Sequence, residues 1–260
     1  RFTPDPVYNE GQGVEIWIVD TGIRPTHSDF GNRASIVFDA YGGNGTDCNG
    51  HGTHCAGIAA GSYFGVAKKA TIRSVKVLGR TPCGSSGPYS KIVNGLDHVI
   101  EAARHPAVVS SSIARGKNTF YDQAVKNIVS AGIPVVVAAG NLNADACNTS
   151  PAWLSQVITV GATNSRDERW FVSNYGKCVD IFAPGRAIVS AGWKTDTSIT
   201  TMSGTSTACA HVAGIVALYL AQNRTLSPAE IKSKLKTSAT THLLSNVGQG
   251  SPNRLAYIDP

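Results

Sequence analysis

Hydrophobic positions along this chain follow two alternating rhythms. Near-continuous apolar runs occupy 14–19 (Val-Glu-Ile-Trp-Ile-Val), 71–78, 107–113, 134–139 and 157–162. Such runs are expected of strands buried on both faces of a parallel sheet. Between them, apolar residues recur at helical spacing. Ile92, Val93, Leu96, Val99 and Ile100 share one side of 90–104. Ala124, Val125, Ile128 and Val129 do so in 120–131, which stops at Gly132 with Pro134 following. Thr205 to Gln222 reads as a long apolar helix. Ser227-Pro228-Ala229-Glu230 opens another, with an N-cap serine and a proline at the first helical position. This alternation predicts an α/β fold, doubly wound, with a mostly parallel central sheet, helices on both faces and right-handed crossovers. No linker, repeat or low-complexity stretch divides the chain, so 1–260 reads as one domain.

Composition narrows the setting. Apolar residues make up 42% and charged residues 15% of 260 residues, which suits a compact globule and excludes a disordered chain. No apolar run approaches the roughly 20 residues of a membrane span. The chain opens at Arg1-Phe-Thr-Pro-Asp-Pro, without an initiator Met or an apolar signal core, and so reads as a mature form. The net charge of +6 is scattered. Its densest stretch, Lys232, Lys234 and Lys236, reads as the solvated face of a surface helix, with an anionic partner as the rarer use, and nothing resembles a nucleic-acid footprint. Six cysteines (48, 55, 83, 147, 178, 209) lack the close pairing of zinc or redox motifs, and six allow fifteen connectivities. Sequons begin at Asn44, Asn148 and Asn223; with the cysteines they fit an extracellular setting.

In open parallel sheets, chemistry gathers at the carboxyl ends of strands. The first run ends in Val19-Asp20-Thr21-Gly22 and the fourth in Ala138-Ala139-Gly140-Asn141. One helix is expected after His51-Gly52-Thr53-His54 and another after Ser203-Gly204-Thr205-Ser206. A serine hydroxyl becomes a nucleophile when a base removes its proton, and the base needs a carboxylate to orient it. Asp20, His51 and Ser206 supply these types in the order Asp, His, Ser. Ser206 at a helix N-terminus sits where N–H groups favour negative charge, and the Asn141 amide could aim at the same oxyanion.

Taken together, Val19-Asp20-Thr21-Gly22, Asn49-Gly50-His51-Gly52-Thr53-His54-Cys55-Ala56-Gly57 and Ser203-Gly204-Thr205-Ser206 resemble the three signature blocks of the subtilases. Cys55 directly after His-Gly-Thr-His is typical of the proteinase K-like subfamily. Ala138–Asn141 resembles the family's oxyanion segment, and Ser173-Asn174-Tyr175-Gly176 with Asp180–Gly185 fits a further shared stretch. The resemblance spans about residues 10 to 223. It implies a subtilisin-like fold and a secreted serine endopeptidase acting on peptide and protein substrates, monomeric, with its own prosegment as inhibitor and folding aid. Asp20 would orient His51, His51 would activate Ser206, and Asn141 would donate to the oxyanion. Substrate would be lined by Ser86, Gly87, Ser112, Ile113, Ala114, Arg115, Ala138 and Gly140.

Two segments depart from the family. Ser-Met-Ala-Thr-Pro-His after the nucleophile is here Ser206-Thr207-Ala208-Cys209-Ala210-His211, and losing the proline removes a φ restriction. The substrate-lining Ser-Leu-Gly-Gly is here Ser112-Ile113-Ala114-Arg115. Ala114 is expected to shift the pocket wall. Arg115 is expected at the rim, in water or reading acidic side chains upstream of the scissile bond. The cysteines match relatives in which pairs like Cys48–Cys83 and Cys147–Cys178 are bridged, leaving Cys55 and Cys209 free; each bridge would contribute about 3–4 kcal/mol. In the proteinase K-like group two carbonyls and a carboxylate hold calcium beside the cleft, and the matching positions are Ser155, Val157 and Asp180. Three rivals are weaker. A catalytically inactive binding module is opposed by the intact set of four groups. A metal site on His51, His54 and Cys55 lacks a glutamate base and would consume the general base. An α/β-hydrolase lacks its Gly-x-Ser-x-Gly elbow.

Overall fold

The computed structural model describes residues 6–79 and 83–258; the remaining positions of the expected 1–260 domain lie outside the described residues. Its first half runs β1 (Glu15–Asp20), β2 (Ala34–Asp39), α1 (His51–Ala60), β3 (Thr71–Lys76), α2 (Tyr89–Ala102), β4 (Ala107–Ser111), β5 (Arg115–Gly116) and α3 (Thr119–Ser130). Then come β6 (Val135–Ala138), β7 (Thr149–Ser150), β8 (Ile158–Thr163), β9 (Ile181–Pro184), β10 (Ile188–Ala191) and β11 (Ile199–Met202). The chain closes with α4 (Thr205–Gln222), α5 (Pro228–Ser238), β12 (Thr240–Thr241) and β13 (Arg254–Leu255).

Among the described residues, nine strands form one sheet in the order β12-β13-β9-β8-β6-β4-β1-β3-β2, parallel except for the β12–β13 pair. The expected doubly wound sheet is therefore present. Its apolar runs divide residue by residue, because successive side chains leave opposite faces of a strand. Ile16 and Ile18 of β1 enter one core with α1 and α4, while Trp17 and Val19 enter the other with α2 and α3. Likewise Val136 and Ala138 of β6 face the first core, and Val135 and Val137 the second. The near-continuous apolar patterns exist because both faces are covered.

β1 pairs with β3 on one side and β4 on the other, so the chain changes direction at β1. That is the switch point where an open α/β sheet leaves a crevice at its carboxyl ends, and Asp20 is the last residue of β1. β2 went unforeseen: Ala34-Ser-Ile-Val-Phe-Asp39 is an edge strand, half-buried throughout, with no periodicity of its own. The expected 107–113 strand ends at Ser111, and Ser112 to Ala114 lead from its carboxyl end to β5, which pairs antiparallel with β7.

Candidate active site

Asp20 is almost wholly buried and accepts from the Thr21 N–H at 2.7 Å. Both of its oxygens face His51 Nδ1, at 2.8 and 2.9 Å, which fixes the ring's tautomer with the proton on Nδ1. His51 is itself the first residue of α1, one turn earlier than the sequence pattern indicated. Gly52 makes that start feasible: a Cβ there would collide with the Gly22 carbonyl. Burial pulls the His51 pKa down, but the charge of Asp20 and its hydrogen bond, with Asp47 behind them, outweigh this and leave it raised.

Asp47 went unread in the sequence. It is buried and accepts from the N–H groups of Asn49 and Gly50 at 2.9 Å on one oxygen, and from Thr53 N–H at 3.0 Å on the other. It also accepts from the hydroxyls of Thr21 at 3.0 Å and Thr53 at 2.6 Å. Asp47 thus caps the open N–H groups of α1 and ties that helix to the end of β1. Its signal was present: an acid shortly before a helix whose own N-cap is a glycine.

Ser206 lies in the first turn of α4, whose N-cap is Gly204. Its hydroxyl donates to the Ser112 carbonyl at 3.3 Å, and the Ser112 hydroxyl donates back to the Ser206 carbonyl at 3.2 Å. Catalytic hydrogen bonds are commonly loose without substrate and tighten in the complex. The proline-free stretch after Ser206 continues as regular helix, so the departure at Ala210 leaves α4 unbroken. Asn141 is oriented by Thr205, a second residue unread in the sequence. The Thr205 N–H and hydroxyl donate to Asn141 Oδ1 at 2.9 and 3.0 Å, which turns Nδ2 outward. A Cβ built on Gly204 would stand 3.5 Å from Asn141 Nδ2 and 3.6 Å from Ser206 N, so the two nitrogens flank one point in front of that glycine. Gly140 holds φ +104° and donates to Thr205 Oγ1 at 3.1 Å, and a side chain there would strike Asn174.

Of the expected cleft positions, Ser86 is exposed, Ser112, Ala114 and Arg115 are half-buried, and Gly87, Ile113, Ala138 and Gly140 are buried. Of the two expectations for Arg115, the structure contradicts the one that leaves it in water. It is half-buried, donates to the Gly87 carbonyl and lies 4.8 Å from the centre of the Tyr89 ring. An arginine prefers a carbonyl and an aromatic face to plain water when both are in reach, so Arg115 ties the 112–115 segment to Gly87 and is not left to water.

Cys48–Cys83 and Cys147–Cys178 are disulfides, with Cα atoms 4.9 and 5.2 Å apart, and Cys55 and Cys209 are free and buried. Burial pushes the Cys55 thiol well above its ordinary value and Cys209 up to about 12, so both are neutral packing groups.

The oxygens expected to bind calcium do converge, and a lysine holds them. Lys232 Nζ donates to the carbonyls of Ser155 and Val157 at 2.8 and 2.6 Å, and pairs with Asp180 Oδ2 at 2.7 Å. Lys236 Nζ takes the other carboxylate oxygen at 2.7 Å. Every donor oxygen of the expected set is engaged by an ammonium, and a dication beside two ammonium groups would be strongly repelled. Calcium does not fit here while Lys232 holds this position. The basic run is accordingly no solvated face. Lys232 and Lys236, four residues apart on α5, serve Asp180, and Lys234 lies 4.4 Å above the Tyr219 ring.

Among the described residues no helix is long and apolar enough to cross a membrane. The chain is 47% identical over 95% of its length to an extracellular serine proteinase of Thermus sp. (strain Rt41A), covering 60% of that relative. It is 42% identical over 95% of its length to alkaline serine exoprotease A of Vibrio alginolyticus, covering 46% of it. The chain thus spans about half to three fifths of the relatives it matches. The fold superposes on the crystal structure of a cold-adapted subtilisin-like serine proteinase with a TM-score of 0.92 at 42% identity, covering 96% of this chain and 91% of that one. Residues 11–255 match the model of the subtilase family of S8 peptidases, and the chain belongs to that family.

Proposed function

We propose that this chain is the catalytic domain of a secreted serine endopeptidase, and the carrying observation is His51 Nδ1 bonded to a buried Asp20, on a helix whose Cys55, one turn after His51, reaches the Ser206 carbonyl at 4.0 Å. The His51 Nε2, left free of a proton, takes the Ser206 proton as Oγ attacks the scissile carbonyl carbon. Asp20 stabilises the imidazolium that forms. The carbonyl oxygen becomes an oxyanion and moves toward Asn141 Nδ2 and Ser206 N–H, donors fixed before the reaction begins. His51 then gives its proton to the leaving amine, and the acyl-enzyme remains on Ser206. Water attacks this ester, His51 again accepting the proton, and Ser206 is restored as the carboxylic acid departs.

Extended substrate lies between the wall of Ser86 and Gly87 and the wall of Ser112 to Arg115, pairing with backbone as an added strand. Ala138 and Gly140 form the floor. Secretion is supported by the disulfides and by the extracellular naming of the Thermus relative. A prosegment that inhibits and assists folding, and a monomeric mature enzyme, complete the proposal. A fluorophosphonate probe should label wild type at Ser206 and leave Ser206→Ala unlabelled. Ser206→Ala should lose about 10⁶-fold in kcat on peptides, the loss known for the triad of a related subtilisin. Activity within tenfold of wild type would end this reading.

A further inference from the structure

The corner formed by Ser155, Val157 and Asp180 has the oxygen set of a cation site and already contains a cation. We propose that Lys232 is a resident cation, covalently tethered through α5, that takes the place of an exchangeable calcium ion at this corner. The match of donors and acceptors is complete. An ammonium has three N–H bonds, and Lys232 aims them at three oxygens, 2.6 to 2.8 Å away. Calcium needs six to eight oxygens at about 2.3–2.6 Å. The corner gives three, and Lys236 closes the open side of the carboxylate. Asp180 Oδ2 is further fixed by the Thr159 N–H at 3.0 Å.

Delivery of the ammonium follows from the helix. Ser227 and Glu230 form a reciprocal capping box that starts α5 at a set point. Ile231 and Leu235 are buried in the core and fix the helix's rotation. Lys232 and Lys236 follow each of them by one position, so burying the first pair swings the second pair over Asp180. The Lys232 side chain is only 14% exposed, so its head is held in the corner and not snorkelled into water.

The corner bears on the cleft. Segment 151–157 runs from β7, which pairs with β5 next to Ala114, to the start of β8, and Asp180 precedes β9. Fixing Ser155 and Val157 to Asp180 therefore braces the base of one substrate wall. A subtilase stabilised there by a bound ion loses the brace to chelators; a tethered ammonium has an effective concentration that no chelator changes.

The test reads metal and melting temperature in the Ser206→Ala background, so self-digestion does not enter, and its outcome is independent of the peptidase reading. Terbium stands in for calcium, excited through Trp153, which lines the same pocket as Asp180, Lys232 and Lys236. The chain with both lysines should give no terbium signal that Asp180→Asn removes. Lys232→Ala should lower Tm in chelator by roughly 5–10 °C, since it strands a paired buried charge. Lys232→Ala/Lys236→Ala should gain a saturable terbium signal displaced by calcium, with a calcium-dependent rise in Tm, both abolished by adding Asp180→Asn. A saturable, Asp180-dependent terbium signal with both lysines present would overturn the proposal, whether or not the variants fold. So would a Lys232→Ala chain that keeps its Tm in chelator, or a folded double variant that gains no metal.

Discussion

Asp20 and Asp180 are both buried carboxylates that meet a cationic side chain at under 3 Å, and they have opposite partners. Asp20 faces His51, a ring still 26% exposed, whose charge appears and disappears with one proton. Asp180 faces two lysines whose charge is in place throughout. A carboxylate that must stabilise a transient imidazolium needs a partner that can return to neutral. One that holds a corner together needs a partner that never leaves. The supports around each differ accordingly. Asp20 is backed by Asp47 and the first turn of α1, which keep the ring's orientation during proton transfer. Asp180 is bound to two carbonyl-bearing residues through one ammonium.

Exchanging each acid for its amide is the strongest way to break this contrast. Asp20→Asn should cost about 10⁴-fold in kcat, because the ring loses its tautomer and its counter-charge, while thermal unfolding changes little. Asp180→Asn should leave kcat within a few-fold and lower Tm by roughly 6–12 °C, as removing one partner of a buried ion pair costs about 3–5 kcal/mol. Peptide kinetics and calorimetry on the same two proteins decide it; a variant that moves both readouts equally would erase the distinction.

Next in size is Asn141→Ala, expected to cost about 10²–10³-fold in kcat with KM little changed, because its bond tightens as the oxyanion forms. A loss confined to KM would place Asn141 in ground-state binding.

Acid sharpens the comparison through other histidines. Burial holds His54 and His211 down to about 4, His54 with its Nε2 at 3.0 Å from the Ile188 carbonyl and His211 with its Nδ1 at 2.9 Å from the Thr207 carbonyl. Below about 6.5 the unfolded chain binds protons at these two rings that the folded chain refuses until about 4. Stability is thus complete above about pH 6.5 and falls as pH drops from there toward 4. His51 acts with the reverse sign: its raised pKa adds stability at low pH that is lost as pH rises through the folded value. Because the neutral ring is the base, activity should rise through a midpoint above 6.5, and Asp20→Asn should move that midpoint down. A pH–rate curve flat between about 5 and 8 would contradict the assignment of His51.

Arg115→Gly is expected to have the smallest effect. Losing the contacts to the Gly87 carbonyl and the Tyr89 ring should change kcat/KM less than about tenfold, mostly through KM. Peptides differing only in an upstream Glu or Gln should give the same ratio in both proteins to within about twofold. A ratio that collapses in Arg115→Gly would return the arginine to substrate reading.

Local chemistry was legible in the sequence, and long-range partnership was not. The apolar runs announced β1, β3, β4, β6 and β8 because strands covered on both faces have no polar alternation to hide them. The Asp20, His51 and Ser206 blocks stood out because glycine permits close approach and positive φ only at specific points. β2 was invisible because a half-buried edge strand leaves a mixed pattern. The i, i+4 spacing of Lys232 and Lys236 was plain, yet their partner lies more than 50 residues away in sequence and only the packing of Ile231 and Leu235 aims them. Asp47 left a faint signal, an acid shortly before a helix that starts on a glycine, while Thr205 acts through its own N–H and hydroxyl on Asn141, 64 residues away in sequence.

The split of β1 between two cores has a consequence for fidelity of assembly. A one-residue slip would send Trp17 and Val19 toward α1 and α4, and Ile16 and Ile18 toward α2 and α3, each into a space shaped for the other. The same slip would turn Asp20 to the wrong face. Misregistered chains would therefore lose packing and reactivity together, leaving no well-ordered but inert population to accumulate. Folding in this chain proofreads the placement of the acid with residues that never meet a substrate.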